Sequence, residues 1–234
     1  MIVLVSLVMS EKKIITVDGP AGVGKSTISK MVAAATGFTY LDTGAMYRGV
    51  GFYLKQSRID IDDKKDLVKQ LATLDLQLVA AEDDKADVGV IINGKDVSTL
   101  IRSPEMSMVA SRVSAVSAVR QKLTQLQREY GAQGNIVAEG RDMGTVVFPQ
   151  AACKFFLDAQ PEERARRRVE QLRIQGTKAD FDEILAMIVE RDKNDSEREI
   201  APLKKADDAF LIDTTRMSIP EVVKLILKKT VFLK

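Results

Sequence analysis

The stretch GPAGVGKS, residues 19–26, constrains the fold more than any other part of this sequence. It follows the apolar run KIITVD (13–18), which predicts a buried strand, and it precedes a predicted helix from Lys25 to about Thr36. A Gly-x-x-x-x-Gly-Lys-Ser loop between a strand and a helix is the Walker A pattern, whose backbone N–H groups surround phosphates at a helix N-terminus. The sequence therefore predicts an α/β domain that binds a nucleoside triphosphate.

Within this loop, Lys25 is expected to reach the β- and γ-phosphates, and Ser26 to ligate Mg²⁺ directly or through water. The loop residues expected to bind ATP are Gly19, Ala21, Gly22, Val23, Gly24, Lys25, Ser26 and Thr27. The loop does not reveal what becomes of the γ-phosphate. A guanine-reading N-K-x-D has only a degenerate match, TKAD at 177–180, which we interpret as polar sequence between two helices.

Composition narrows the chemistry. A net charge of +2 gives no broad basic surface for nucleic acid. Histidine is absent and Cys153 is the one cysteine, which excludes Ser-His-Asp and Cys-His catalysis and fits a reducing, cytoplasmic compartment. The apolar start is too short to span a bilayer, so residues 1–12 are expected to be an unstructured extension in preference to an edge strand.

The order of predicted elements indicates the fold class. Short apolar runs such as FTYLDT, NIVAEG, CKFFLDA and AFLID alternate with helical segments, which favours an α/β fold with a central parallel sheet wrapped by helices. Between Leu74 and Val97 the texture changes to period-two alternation with an Asn93-Gly94 turn, which predicts about three antiparallel strands. Near the end, Ser218 and Glu221 predict a capping box ahead of an apolar helical stripe formed by Ile219, Val222, Val223, Ile226 and Leu227.

Two further motifs follow predicted strands. DTGAMYR (42–48) and EGRDMGTVVFP (139–149) fall at the carboxyl ends of strands, where ligands bind in open α/β sheets. Arg48 and Arg141 there suit a phosphate monoester, because a guanidinium group binds phosphate oxygens bidentately. The sequence thus predicts a second phosphate site beside the Walker A loop.

Taken together, GPAGVGKST, DTGAMYR, GRDMGTVVFP and RDKNDSEREIAP resemble the motifs of bacterial cytidylate kinases, which are P-loop nucleoside monophosphate kinases. The resemblance runs from about Lys13 to the C-terminal helix. It implies a three-layer P-loop kinase core (13–60 and 131–234), a helical lid at about 160–200, and a monophosphate-binding insert (61–130) with a small antiparallel sheet. It also implies phosphoryl transfer from ATP to CMP or dCMP, with Mg²⁺ as cofactor.

The resemblance assigns residues to the two nucleotides. It implies that Lys25, Arg141 and Arg191 are catalytic, and that Arg164, Arg167 and Arg168 belong to the lid over ATP. The residues implied to bind CMP are Thr43, Tyr47, Arg48, Ser111, Arg120, Arg141, Asp142, Arg191, Asp195 and Arg198. Arg191, Asp195 and Arg198 share one helix face if the helix continues that far.

Two alternatives remain open at this point. One is a P-loop kinase for another small acceptor such as UMP, and the other is an ATP-binding switch without transfer. The expected partners are ATP, CMP and dCMP, with no nucleic acid and no membrane, and the chain is expected to be a monomer.

Overall fold

The computed structural model describes residues 13–79, 87–174 and 176–231; the predicted extension at 1–12 lies outside the described residues. In chain order the elements are β1 (Ile14–Asp18), α1 (Lys25–Thr36), β2 (Thr39–Asp42), α2 (Thr43–Gln56), α3 (Lys64–Ala72), β3 (Leu76–Val79), β4 (Gly89–Ile92), β5 (Lys95–Asp96), α4 (Pro104–Val113), α5 (Ser117–Gln133), β6 (Ile136–Gly140), a π-helical turn (Met143–Val147), β7 (Cys153–Asp158), α6 (Pro161–Ile174), α7 (Phe181–Glu197), β8 (Phe210–Asp213) and α8 (Ile219–Lys229).

Five of these strands form a parallel sheet in the order β2-β6-β1-β7-β8. One apolar cluster packs α1 and α8 against β1 and β7 around the fully buried Phe155, and a second joins α2, α3, α4 and α5 to β2 and β6. Helices therefore cover both faces of the sheet, and the predicted three-layer α/β class is confirmed.

The antiparallel patch is also confirmed. Strands β3, β4 and β5 form a three-stranded sheet, and Asn93 and Gly94 carry the positive φ angles (48° and 76°) of the turn that joins β4 to β5. This small sheet packs on α2 through Val90 and Ile92, close to Gly49. It is thus attached to the helix that carries the DTGAMYR motif.

Two details of the helices differ from the sequence pattern. Helix α7 ends at Glu197, and Arg198 has an extended backbone (φ −61°, ψ 139°), so the helix face predicted for Arg191 and Asp195 does not include Arg198. In α8 the capping box of Ser218 and Glu221 is present, but Ile219 is 39% exposed and is not part of the buried stripe. Ile219 is the first residue of the helix.

The TKAD stretch lies between α6 and α7, as predicted. Asp180 caps α7 by accepting hydrogen bonds from the N–H groups of Asp182 and Glu183, at 2.9 and 3.1 Å. The polar sequence of this stretch therefore caps the N-terminus of α7. Across the described ranges, we find no helix with both the length and the hydropathy of a membrane span.

Candidate active site

A cleft of about 710 Å³ opens at the carboxyl ends of the parallel strands. The register brings these ends level, because Asp18 pairs with Gly140 and Asp42 pairs with Glu139. The loops that follow β1, β2 and β6 therefore meet in one place, and most of the predicted site residues line this cleft. They are Ala21, Gly22, Gly24, Lys25, Ser26, Thr27, Thr43, Tyr47, Arg48, Ser111, Arg141, Asp142, Arg167, Arg168, Arg191, Asp195 and Arg198.

The phosphate loop depends on its glycines. Gly19 and Gly24 have φ angles of 146° and 91°, which side chains rarely adopt, and a Cβ on Gly19 would lie 2.1 Å from the carbonyl oxygen of Leu157. No side chain among the described residues caps the N-terminus of α1. Its first N–H groups thus remain for an anion, and the helix dipole favours negative charge there. Val23 is packed in the core, so only its backbone is available to a phosphate.

The phosphate-loop lysine is buried against its own loop. Lys25 donates from Nζ to the carbonyl oxygen of Pro20 at 2.6 Å. Burial lowers the pKa of Lys25 well below its usual value, and the positive charges of Arg141 and Arg191 lower it further. Arg141 and Arg191 are therefore close enough to the phosphate-loop lysine to act on it electrostatically.

A carboxylate stands beside Ser26. Glu139, the fourth residue of β6, accepts a 2.7 Å hydrogen bond from Ser26 Oγ and another from the Tyr40 hydroxyl, both on Oε1. Its Oε2 is buried and has no hydrogen-bond partner among the described residues. Burial raises the pKa of Glu139, and the nearby charge of Asp42 adds to this.

These groups fit a magnesium ion. Mg²⁺ takes hard oxygen ligands, and in phosphate sites it uses one or two protein oxygens together with water and substrate phosphates. The orphaned Oε2 of Glu139 and the hydroxyl of Ser26 supply such oxygens at the start of α1. The sequence analysis did not identify Glu139 as a site residue. A signal was available, because Glu139 is an acidic residue at the carboxyl end of a predicted apolar strand.

The second phosphate region contains three arginines held by two carboxylates. Arg141 donates from Nε to Asp195 Oδ2 at 2.8 Å, and Arg191 Nε lies 3.9 Å from the same oxygen. Arg48 Nη2 lies 3.3 Å from Asp42 Oδ2, which is possible because Gly44 leaves space: a Cβ there would lie 3.0 Å from Arg48 Nη1.

The charges in this region repel one another. Burial and the neighbouring Arg141 lower the pKa of Arg191 to about 10, with Arg48 adding to the effect. For Asp195, burial acts to raise the pKa, but Arg141 and Arg191 outweigh it and hold the pKa below its usual value. The excess of positive charge over these carboxylates makes the region a site for an anion.

Beyond the phosphate region, a buried network surrounds Asp142. One oxygen of Asp142 pairs with Arg120 and the other lies 3.5 Å from Arg198 Nη2. Arg198 is anchored by hydrogen bonds to Ser114 Oγ (2.9 Å) and to the carbonyl oxygen of Ala201 (2.7 Å). Burial raises the pKa of Asp142, and both guanidinium groups oppose the increase.

Three other predicted residues lie next to this network. Tyr47 is buried with its ring 5.7 Å from the guanidinium carbon of Arg120, and its hydroxyl has no partner among the described residues. Ser111 donates to Asp195 Oδ1 at 3.0 Å. Thr43 donates to the carbonyl oxygen of Glu139 at 2.6 Å. Arg120 is 4% exposed and lies behind Asp142, so it does not line the cleft.

The arginines of α6 occupy two different environments. Arg164 is buried, with Nη1 donating to the carbonyl oxygen of Ala21 (3.1 Å) and Nη2 2.6 Å from Asp192. It therefore braces the phosphate loop from behind and does not line the cleft. Arg167 and Arg168 do line it, and burial together with the charge of Arg48 lowers the pKa of Arg168.

Comparison with known proteins agrees with this geometry. The family described as cytidylate kinase matches residues 15–231. The cytidylate kinase of Carboxydothermus hydrogenoformans is 44% identical over 92% of this chain and 95% of its own length, and that of Thermodesulfovibrio yellowstonii is 46% identical over 93% and 97%. An uncharacterized protein from Eubacterium ventriosum, of known structure, has the same fold with a TM-score of 0.50 at 13% identity, covering 94% of this chain and 98% of its own. On the strength of the family match and these relatives, the chain belongs to the cytidylate kinase family.

Proposed function

We propose that this chain transfers the γ-phosphoryl group of ATP to CMP or dCMP, giving ADP and CDP or dCDP. The proposal depends on one observation above all: Lys25 of the phosphate loop lines the same cleft as Arg48, Arg141 and Arg191. A triphosphate on the loop and a monophosphate on the arginines would face each other across that cleft. Family membership supports the same reaction.

The reaction needs no strong base from the protein. The acceptor is a phosphate oxygen, and since the second pKa of a phosphate monoester is about 6, the dianion predominates at neutral pH. This accounts for chemistry without histidine. Catalysis is then positioning together with stabilisation of charge on the migrating group.

The cationic side chains have distinct tasks. Lys25 binds the phosphates of ATP, while Arg141 and Arg191 hold the acceptor phosphate and neutralise charge in the loose transition state. Asp195 orients Arg141 by a hydrogen bond to its Oδ2, and the same oxygen attracts Arg191 electrostatically at 3.9 Å. Arg167 and Arg168 extend the positive lining on the side of α6, where they would face the ATP phosphates and help to exclude water. Arg167 also donates to the carbonyl oxygen of Thr214 at 2.6 Å, which holds it against the strand end.

Magnesium is the proposed cofactor. When bound, Mg²⁺ neutralises charge on the β- and γ-phosphate oxygens. Ser26 and Glu139 are the residues of this chain that would hold it, since their oxygens lie together beside the first turn of α1.

The network around Asp142 favours cytosine. The exocyclic amine of cytosine donates to a carboxylate, and its N3 and O2 accept from a guanidinium group. Asp142 with Arg198 offers this combination, and Arg120 holds Asp142 from behind. Uracil carries a carbonyl acceptor where cytosine carries the amine, so this oxygen would face the Asp142 carboxylate, which is also an acceptor. A site built on specific hydrogen bonds rejects such a mismatch strongly.

The test is an assay of ADP production with ATP, Mg²⁺ and each of CMP, dCMP, UMP and AMP. We expect rapid turnover of CMP or dCMP and slow turnover of UMP and AMP. Equal turnover of UMP and CMP would contradict the base-reading assignment. ADP production that does not depend on any acceptor would contradict the kinase itself and would favour an ATP-binding switch.

We further propose that residues 61–130 form the monophosphate-binding insert and that about 160–200 form the lid. The contacts of the β3–β5 sheet with α2, and those of α6 and α7 with the cleft, support these assignments. The proposed state is a cytoplasmic monomer. Size-exclusion chromatography with light scattering, and cell fractionation, test these two points.

A further inference from the structure

Asp18 is a buried carboxylate that the mechanism above does not use. It is the last residue of β1, directly before Gly19 of the phosphate loop, and it is 4% exposed. Its Oδ1 accepts a 2.9 Å hydrogen bond from the N–H of Met143, and its Oδ2 accepts a 2.7 Å bond from the N–H of Gly144. Both bonds cross from β1 to the segment that follows β6.

These two N–H groups open the π-helical turn. The first N–H groups of a helical turn have no partner within it, and the preceding residue, Asp142, does not cap this one with its side chain. Asp18 satisfies them from another strand. At the far end, Arg128 donates to the carbonyl oxygens of Val146 (2.9 Å) and Val147 (3.1 Å).

The approach of Asp18 to the turn is close. A Cβ on Gly144 would lie 3.0 Å from Thr16 Oγ1 and 3.4 Å from Asp18 Oδ2. Glycine at this position lets the turn rest against the end of β1. The two residues just before the turn are Arg141 and Asp142, so this contact fixes where both of them leave the sheet.

We propose that Asp18 is a positioning residue for phosphoryl transfer: its carboxylate fixes the segment that carries Arg141 and Asp142 against the strand that leads into the phosphate loop. This inference rests on the function proposed above. The β1–β6 pairing brings Asp18 level with Gly140, and this side chain extends that connection to the segment beyond the strand, between the donor loop and the acceptor loop. Because misplacement of a reacting group by about 1 Å can cost about 100-fold in rate, loss of this contact should affect transfer more than folding.

The principal variant is Asp18→Asn, which keeps the shape but presents an amide N–H to one of the two backbone donors. If the cost of one unsatisfied buried N–H group falls on the transition state, it corresponds to a decrease of about 10- to 100-fold in kcat/KM. We expect kcat/KM for CMP to fall by that factor. We also expect the CMP-over-UMP ratio of kcat/KM to fall, because Asp142 is displaced together with Arg141, whereas a general loss of stability would not change that ratio.

The matched control is Asp158→Asn. Asp158 also ends a strand of the same sheet and accepts a backbone hydrogen bond, from its neighbour Ala159 at 2.9 Å, but it is exposed and makes no hydrogen bond to the acceptor segment in the described part of the chain. We expect wild-type kinetics for it. If Asp18→Asn does not fold, Gly144→Ala displaces the same turn from the other side and leaves the carboxylate in place.

Amide hydrogen exchange of Met143 and Gly144, followed by NMR, provides a readout that does not depend on activity. We expect slow exchange in the wild type and exchange at least tenfold faster in Asp18→Asn. Unchanged exchange, or an unchanged CMP-over-UMP ratio in a folded variant, would overturn the positioning role. A wild-type chain that makes no CMP-dependent ADP would instead overturn the proposed function, and the exchange data would still decide whether Asp18 holds the turn.

Discussion

Arg141 Nε donates a 2.8 Å hydrogen bond to Asp195 Oδ2, which joins the loop after β6 to helix α7. The same oxygen lies 3.9 Å from Arg191 Nε. One carboxylate therefore binds Arg141 by a hydrogen bond and lies beside Arg191, and both guanidinium groups lower the pKa of Lys25.

Replacement of Arg141 should reduce catalysis strongly. We expect Arg141→Ala to lower kcat/KM for CMP by an amount equivalent to about 3 kcal/mol, typical of the loss of an electrostatic contact to the transition state. Arg173→Ala is the control, because Arg173 is exposed on α6 and pairs only with Glu170 among the described residues. Steady-state kinetics with both nucleotides measure the effect, and an unchanged kcat/KM would contradict the role.

The base preference should depend on Asp142. Asp142→Asn replaces one acceptor oxygen by a donor, so we expect discrimination between CMP and UMP to fall by about tenfold or more. The variant also leaves Arg120 beside a neutral partner, which makes thermal unfolding a necessary parallel measurement. A stable variant that still rejects UMP as strongly as the wild type would exclude Asp142 as the reader of the base.

Glu139 should govern the magnesium dependence. Glu139→Gln removes the negative charge from the side chain that carries the unpartnered buried oxygen, and it replaces one of the two oxygens by nitrogen. We therefore expect Mg²⁺ to strengthen ATP binding less than in the wild type. Isothermal titration calorimetry with ATP, in Mg²⁺ and in EDTA, measures this difference without turnover. Equal enhancement by Mg²⁺ in both proteins would exclude the carboxylate from the metal site.

The pH profile should carry the signature of Asp18. Burial and, to a lesser extent, Asp142 raise its pKa to about 7, against the opposing effects of the Met143 and Gly144 N–H groups and of Lys25. Because the ionised form accepts both N–H bonds, kcat/KM for CMP should fall as the pH drops below about 7. Asp18→Asn should lose this component and keep only the titration of the acceptor phosphate.

Stability should respond to the same group with the opposite sign. A carboxyl whose pKa is raised on folding binds protons more tightly in the native state, so its contribution to stability decreases as the pH rises from about 4 to about 7. Urea unfolding at pH 5 and pH 8 should therefore show a smaller pH dependence in Asp18→Asn than in the wild type. An identical dependence would mean that Asp18 does not titrate in this range.

Arg164 should matter for stability, because it supports the phosphate loop from behind. Arg164→Met removes a buried ion pair with Asp192 and the hydrogen bond to Ala21 of the phosphate loop. We expect the free energy of unfolding, measured in urea, to decrease by about 2 to 4 kcal/mol. The lower value reflects the partial exposure of Asp192. Arg173→Met should cause no measurable change, and a similar absence of effect at Arg164 would show that the brace is dispensable.

The sequence by itself determined the local features. The phosphate loop, the alternation of strands and helices, the Asn93-Gly94 turn and the capping box of α8 were all predicted, because each depends on residues within a few positions of one another. The two arginine motifs could also be placed at one sheet edge, since the carboxyl ends of parallel strands meet there. These signals were sufficient for the fold class and for the family.

Only the tertiary structure decided how residues from different strands meet. The strand order places β6 beside β1, so that Asp18 reaches the turn after Gly140 and Glu139 reaches Ser26, and nothing in the local pattern specifies that order. The tertiary structure also places Arg164 behind the phosphate loop, although Arg164 lies in the same arginine run as Arg167 and Arg168. The physical reason is that periodicity and turn chemistry act between near neighbours in the chain, whereas these contacts depend on register and burial between segments more than 100 residues apart.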